Sequence, residues 1–177
     1  MLFIALVMMA GSLFAQKKTT TSGTVHFDAT TSLDDGPKAE NKTVIAALDP
    51  SKGTVAFEVP VKNFSFSNKK MQEHFNGPNW LDSEKFPTAT FDGNVTNLSS
   101  IDFTKDGSYD ADVEGDLTIH GVTKPVKTKG KIMVKGSSVS TIADFTVKLA
   151  DYNIDGPPVG AGKISKEPKI TVSADLQ

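Results

Sequence analysis

The stretch from Tyr109 to Val134 constrains the fold more than any other part of this chain. Tyr109, Ala111, Val113, Gly115, Leu117 and Ile119 alternate with Asp110, Asp112, Glu114, Asp116 and Thr118. Beyond His120-Gly121 the pattern resumes. Val122, Val126, Thr128, Gly130, Ile132 and Val134 follow, with Lys127, Lys129 and Lys131 between the later ones. Period two over so long a run marks strands with one buried face. His-Gly suits the left-handed backbone of a tight hairpin turn. A symmetric turn there pairs Glu114 with Lys127, Asp112 with Lys129 and Asp110 with Lys131. A slip of one residue would turn the whole apolar set to water, so the register is strongly specified.

The same period recurs on both sides. Val25, Phe27 and Ala29 alternate with His26 and Asp28, and Val44 to Leu48 is a short apolar run before the turn Asp49-Pro50-Ser51-Lys52-Gly53. Val55, Phe57, Val59 and Val61 follow, with Pro60 marking a bend or a gap in the sheet because it has no N–H. Ala89, Phe91, Gly93 and Val95 make a further strand, as do Val139, Thr141, Ala143, Phe145, Val147 and Leu149, and then Ile170, Val172, Ala174 and Leu176. Only Asn68 to Asn76 breaks the pattern. Met71 and Phe75 stand four apart, Ser67 or Asn68 can cap, and Gly77-Pro78 stops the run, which predicts one short helix. Asp151 to Pro168 is rich in Gly and Pro and reads as a loop. The expected fold is all-β: an eight-stranded antiparallel barrel or sandwich with one short helix, closure being favoured because it removes exposed edges.

Met1 to Ala15 carries no charge and is followed by Gln16-Lys17-Lys18. An apolar run of that length ending in a small residue reads as a secretory signal peptide and is too short to span a bilayer. Residues 16–177 then form one domain, expected in the periplasm or secreted, with no transmembrane segment. The chain has no Cys, which excludes disulfides, thiol nucleophiles and thiolate metal sites. Its nineteen basic residues are all Lys, so bidentate guanidinium recognition of phosphate or carboxylate is absent. A net charge of −2 with interspersed signs argues against nucleic acid as a partner.

Chemistry-bearing residues are sparse. His26 reads as a solvated strand position, His120 as a turn residue, and His74 as a helix residue able to line a pocket mouth. No pair of them has metal-ligand spacing. No nucleophile elbow, metalloprotease motif, phosphate loop or dinucleotide fingerprint is present, so no catalytic residue, metal or cofactor is expected. Asn41-Lys42-Thr43, Asn63-Phe64-Ser65, Asn94-Val95-Thr96 and Asn97-Leu98-Ser99 match glycosylation sequons, a pattern common by chance. The aromatic material is denser than usual: Phe57, Phe64, Phe66, Met71, Phe75, Trp80, Phe86 and Phe91 fall within a short span. It forms either an ordinary core or the wall of an apolar pocket, since an eight-stranded barrel can fill its interior or hold one small ligand. Ala111, Gly115, Gly130 and Ala143 fall on inward faces and leave space there, or pack against bulky neighbours.

Two segments carry a resemblance. Met71-Gln-Glu-His-Phe-Asn76 with Trp80-Leu-Asp-Ser-Glu-Lys-Phe-Pro-Thr-Ala-Thr-Phe91, and Gly115-Asp-Leu-Thr-Ile-His-Gly-Val-Thr-Lys-Pro-Val126, resemble the YceI-like family. Asp151-Tyr-Asn-Ile154 is similar to its late aspartate–aromatic segment. The matching motif positions are His74, Phe75, Asn76, Phe86, Pro87, Phe91, His120, Gly121, Thr123, Lys124 and Pro125. The resemblance implies a lipocalin-like barrel with an internal apolar channel. It also implies binding of a polyisoprenoid or an isoprenoid-quinone-like lipid, and no catalysis. On that reading Phe57, Phe66, Met71, Phe75, Trp80, Phe91, Val113, Leu117 and Phe145 form the pocket, entered near the helix. His74, Asn76 and Lys124 are the candidates for a polar head. An exported stress or interaction protein with a filled barrel is the alternative, a hydrolase using His74 or His120 the third reading, and a homodimer is left open.

Overall fold

A computed structural model describes residues 16–177; the expected signal peptide, Met1 to Ala15, lies outside the described residues. Eight strands close into an antiparallel barrel: β1 (Lys18–Asp28), β2 (Lys38–Asp49), β3 (Thr54–Pro60), β5 (Thr88–Val95), β6 (Gly107–Ile119), β7 (Val122–Lys135), β8 (Ser138–Thr146) and β9 (Lys169–Leu176). The ring runs β1-β9-β8-β7-β6-β5-β3-β2 and shuts where β2 pairs with β1. A two-residue strand β4 (Ser65–Phe66) adds to the start of β2 through Ala39 and Glu40.

The central hairpin has the expected register. Ile119 faces Val122 across the turn, and Glu114–Lys127, Asp112–Lys129 and Asp110–Lys131 are direct partners. Each is an ion pair, at 2.9, 2.6 and 2.8 Å. His120 and Gly121 both adopt positive φ, 52° and 72°, the geometry whose twist matches that of the flanking strands.

The helix α1 (Lys69–Asn76) starts where expected: the Asn68 side chain accepts from the backbone N–H of Lys70 and Met71. Gly77, followed by Pro78, ends it. Several elements can be set against the sequence reading: β8 ends at Thr146, short of Val147 and Leu149, which alternation had placed in the same strand. β2 begins at Lys38, well before the apolar run, because its first inward residues are Ala39 and the polar Asn41. β3 does end at Pro60, whose carbonyl accepts from Asn41 Nδ2 at 2.8 Å. The Gly- and Pro-rich loop contains a single helical turn, α2 (Pro157–Gly160), with Pro at its start, where a missing N–H costs nothing.

The long connections, residues 29–37, the β3–β5 segment with α1 and residues 147–168, gather at one end of the barrel beside the tight His120-Gly121 turn. Short turns and the 96–106 loop close the other. Two apolar clusters follow. Val25, Phe27, Phe64, Phe75, Leu81, Leu149, Tyr152 and Ile154 pack at the helix end. Ala46, Leu48, Val95, Ile101, Ile132, Val134 and Leu176 pack at the turn end.

Candidate functional site

Between the two clusters lies a cavity of about 180 Å³. It exists because inward positions on neighbouring strands do not all carry large side chains. Phe57 faces Phe91 across β3 and β5, and Phe91 faces Leu117 across β5 and β6. On the far wall Gly130 faces Ala143, and neither fills the centre. Val113, Ile119, Val126, Ile132, Phe145, Val147, Ile170 and Val172 complete an almost wholly apolar wall. Thr90, Thr128 and Thr141 bring the hydroxyls. Thr128 Oγ1 donates to the Asp144 carbonyl at 3.1 Å, so much of its polarity is already satisfied. A cavity without convergent polar groups holds water poorly and favours apolar occupants.

Of the residues expected in the pocket, Phe57, Phe75, Phe91, Val113, Leu117 and Phe145 line the cavity. Phe66, Met71 and Trp80 are not in its wall. Phe66 packs behind Phe75 with tilted rings 4.9 Å between centroids and meets Phe27 edge-on at 6.4 Å. Met71 covers the 29–37 loop, its Cε 3.0 Å from where a Cβ on Gly36 would stand. Trp80 packs against the helix-end cluster from outside. Gly115 does face inward, but the room it leaves is taken. A Cβ there would stand 2.4 Å from the Asp92 carbonyl and 2.7 Å from Phe91 Cζ. Gly115 and its partner Gly93 are the surface on which the Phe91 ring lies.

The three candidates for a polar head do not converge on the cavity. His74 is exposed on α1. Asn76 is used locally: its Nδ2 donates to the Gln72 carbonyl at 3.0 Å, and its own carbonyl accepts from Ser83 Oγ. Its Oδ1 is buried without a partner. Lys124 stands exposed at the start of β7, across from Leu117, and makes no ion pair within the described residues.

The other motif residues form a clasp. His120 Nδ1 lies 3.1 Å from the Tyr152 carbonyl. A carbonyl only accepts, so Nδ1 carries the proton. The imidazole meets Phe86 edge-on, centroids 4.8 Å apart, and a Cβ on Gly121 would stand 2.4 Å from the Phe86 ring. Tyr152 is buried, which pushes its phenol up from the ordinary value, with Asp151 adding to the shift. These groups tie the hairpin turn to the two long connections beside it. His26 is a solvated strand residue 3.4 Å from Glu40. Among the described residues no three His, Asp or Glu side chains gather as a metal site would require.

Leu149 and Ile154 also line the cavity; the period-two pattern read Leu149 as the inward end of a strand without assigning it to the pocket, and Ile154 was missed because it lies in an aperiodic loop. Val25, Phe27, Val55, Val59 and Val172 were missed as well. The period-two pattern placed them inward, and extending the pocket to every strand would have found them.

The YceI-like domain model matches residues 9–176. Among curated relatives, a UPF0312 protein of Pectobacterium carotovorum is 29% identical over 133 residues, covering 72% of this chain and 64% of its own length. The protein YceI of Escherichia coli is 28% identical over the same shares. The chain thus spans a little under two thirds of the relatives it matches. Among solved structures, a polyisoprenoid-binding domain from Saccharophagus degradans, described as implicated in plant cell wall breakdown, superposes with a TM-score of 0.76 at 10% identity. It covers 91% of this chain and 97% of its own. BcnA of Burkholderia cenocepacia superposes with a TM-score of 0.67 at 18% identity, covering 93% and 98%.

Proposed function

This chain belongs to the YceI-like family, and from that premise we propose that it is an exported, non-enzymatic protein that holds one polyisoprenoid or similar amphiphile, such as an isoprenoid quinone, inside its barrel. The observation that carries the reading is the apolar cavity framed by Phe57, Phe91, Leu117, Phe145 and Gly130. A related fold in Saccharophagus degradans is described as polyisoprenoid-binding, which supports the same ligand class here. Each buried methylene gains about 0.8 kcal/mol, so one five-carbon isoprene unit gains about 4 kcal/mol. A few such units outweigh an association cost of about 4 kcal/mol or more. No guanidinium or catalytic group is needed for that.

Size sets a condition. A dry cavity of about 150 Å³ admits benzene, and this one, at about 180 Å³, is little larger. A long chain is therefore housed only as Phe57 and Phe91 swing aside within the barrel, the side-chain adjustment common on binding. The Phe91 ring over Gly93 and Gly115 also favours a second reading, a barrel filled by its own side chains.

Organic extraction of natively purified protein followed by mass spectrometry tests the two. A stoichiometric isoprenoid supports lipid binding, and protein that stays empty after exposure to isoprenoids supports the filled barrel. Export rests on the uncharged apolar start, Met1 to Ala15, followed by Gln16-Lys17-Lys18. Sequencing of the mature protein should begin at or near Gln16; a cytoplasmic protein that retains Met1 contradicts it.

A further inference from the structure

The barrel wall is unevenly bonded. β6 and β7 pair along their whole length, from Gly107–Val134 to Ile119–Val122. β7 and β8 pair only from Lys135–Ser138 to Gly130–Ala143. Above that point β8 stays with β9 as far as Thr146–Lys169, and Val147 N–H goes on to the Pro168 carbonyl. The first half of β7, Val122 to Thr128, therefore has β6 on one side and no ladder on the other.

The residues at this seam accommodate the gap. In an antiparallel ladder alternate residues bond to opposite neighbours, and the tight turn at His120-Gly121 directs the even-numbered residues of β7 to β6. Pro125, whose position faces β8, has no N–H to leave unpaired. Thr128 Oγ1 reaches both the Lys129 carbonyl, at 3.3 Å, and the Asp144 carbonyl, at 3.1 Å, stitching the strands by one hydroxyl where the ladder stops. The side chains turned inward here, Val126, Thr128, Phe145 and Val147, all line the cavity. The helix end is shut far more firmly. Phe75 is 6% exposed and its ring meets Phe27, Phe64 and Phe66 at 5.5, 5.3 and 4.9 Å.

We propose that the lipid passes into and out of the barrel sideways, through the seam between β7 and β8 bounded by Gly130–Ala143 below and the His120–Tyr152 contact above, and not past α1. This rests on the reading that the barrel binds a lipid. Between these bounds the strands are joined by the Thr128 hydroxyl alone, with the Leu149–Tyr152 turn packed on β7 at the upper end, whereas opening the helix end unpacks an aromatic cluster. A hydrocarbon sliding through meets Val126, Phe145 and Val147, while the outward Lys127 and Lys129 stay paired to Glu114 and Asp112.

The chain has no cysteine, so Lys127→Cys with Thr146→Cys, both exposed, introduces two thiols across the seam that a short bismaleimide can bridge. A second double variant, Gly36→Cys with Met71→Cys, clamps α1 to the 29–37 loop in the same way. Uptake of dansyl-labelled geranylgeraniol by delipidated protein is followed by stopped-flow fluorescence. The seam clamp should slow uptake by about tenfold or more, as a required conformational step does. The same thiols capped with N-ethylmaleimide should load at the unclamped rate, and so should the α1 clamp. Protein loaded before clamping should retain its probe. An unchanged rate across the clamped seam overturns the portal and leaves lipid binding standing. So does slowing confined to the α1 clamp. Unclamped protein that takes up no probe overturns the binding reading and the portal together.

Discussion

At Gly121 the backbone sits at φ 72° and a Cβ would enter the Phe86 ring. Gly121→Ala should therefore cost about 1–3 kcal/mol, combining left-handed strain with lost ring packing. Urea unfolding should show a lower midpoint with an unchanged slope. Asn41 is wholly buried: its Oδ1 accepts from the Thr43 N–H and hydroxyl, and its Nδ2 serves the Pro60 carbonyl. Asn41→Ala should cost about 1–3 kcal/mol because these partners stay behind without it. The sequence showed Asn41 only as part of a glycosylation sequon; burial leaves it no room for a glycan. His120 was readable as a turn residue. Its contact with Tyr152, 32 residues later, was not, since nothing local links the two.

The β6–β7 element was legible because turn chemistry and alternation pointed to the same register. Its exposed ion pairs contribute little, so exchanging Glu114 and Lys127 should change stability by less than about 1 kcal/mol. One pairing is unfavourable: Asp92 and Asp116 are direct cross-strand partners of like charge. Asp116→Lys should raise stability by about 0.2–1 kcal/mol, and added salt should shrink the gain. Carboxylates set the acid limit. The Thr171 hydroxyl bonded to Asp144 holds its carboxyl below the ordinary value; partial burial opposes this, and Lys169 adds to it. Lys131 does the same for Asp110 by hydrogen bond and charge. A carboxylate with a depressed folded-state pKa contributes stability that is complete above about pH 3.9 and is lost as pH falls through the folded value. Asp144→Asn should thus be less stable at neutral pH and less sensitive to acid below about pH 4, as acid titration of circular dichroism would show. The start of β2, β4 and the β7–β8 seam were invisible beforehand. Each depends on how one strand meets another, and Lys38 to Thr43 carries little apolar signal.

Across the whole molecule, alternation decides which side chains point inward but not how far each reaches. It placed Phe57, Phe91, Leu117 and Phe145 around one volume. It did not reveal that Phe66, Met71 and Trp80 pack outside that volume, or that the Phe91 ring fills the space over Gly115. Ala143 is the better site for added bulk, since it lines the cavity beside Gly130. Ala143→Leu should weaken isoprenoid binding while leaving the unfolding midpoint nearly unchanged. In a filled core it would instead cost about 1–3 kcal/mol from overpacking. The central claim is tested most directly by calorimetric titration of delipidated protein with an isoprenoid quinone at several temperatures. Saturation is expected at one molecule per chain with a negative heat-capacity change, the mark of apolar surface leaving water. No saturable heat at any temperature, from folded protein shown to be free of lipid, would contradict it.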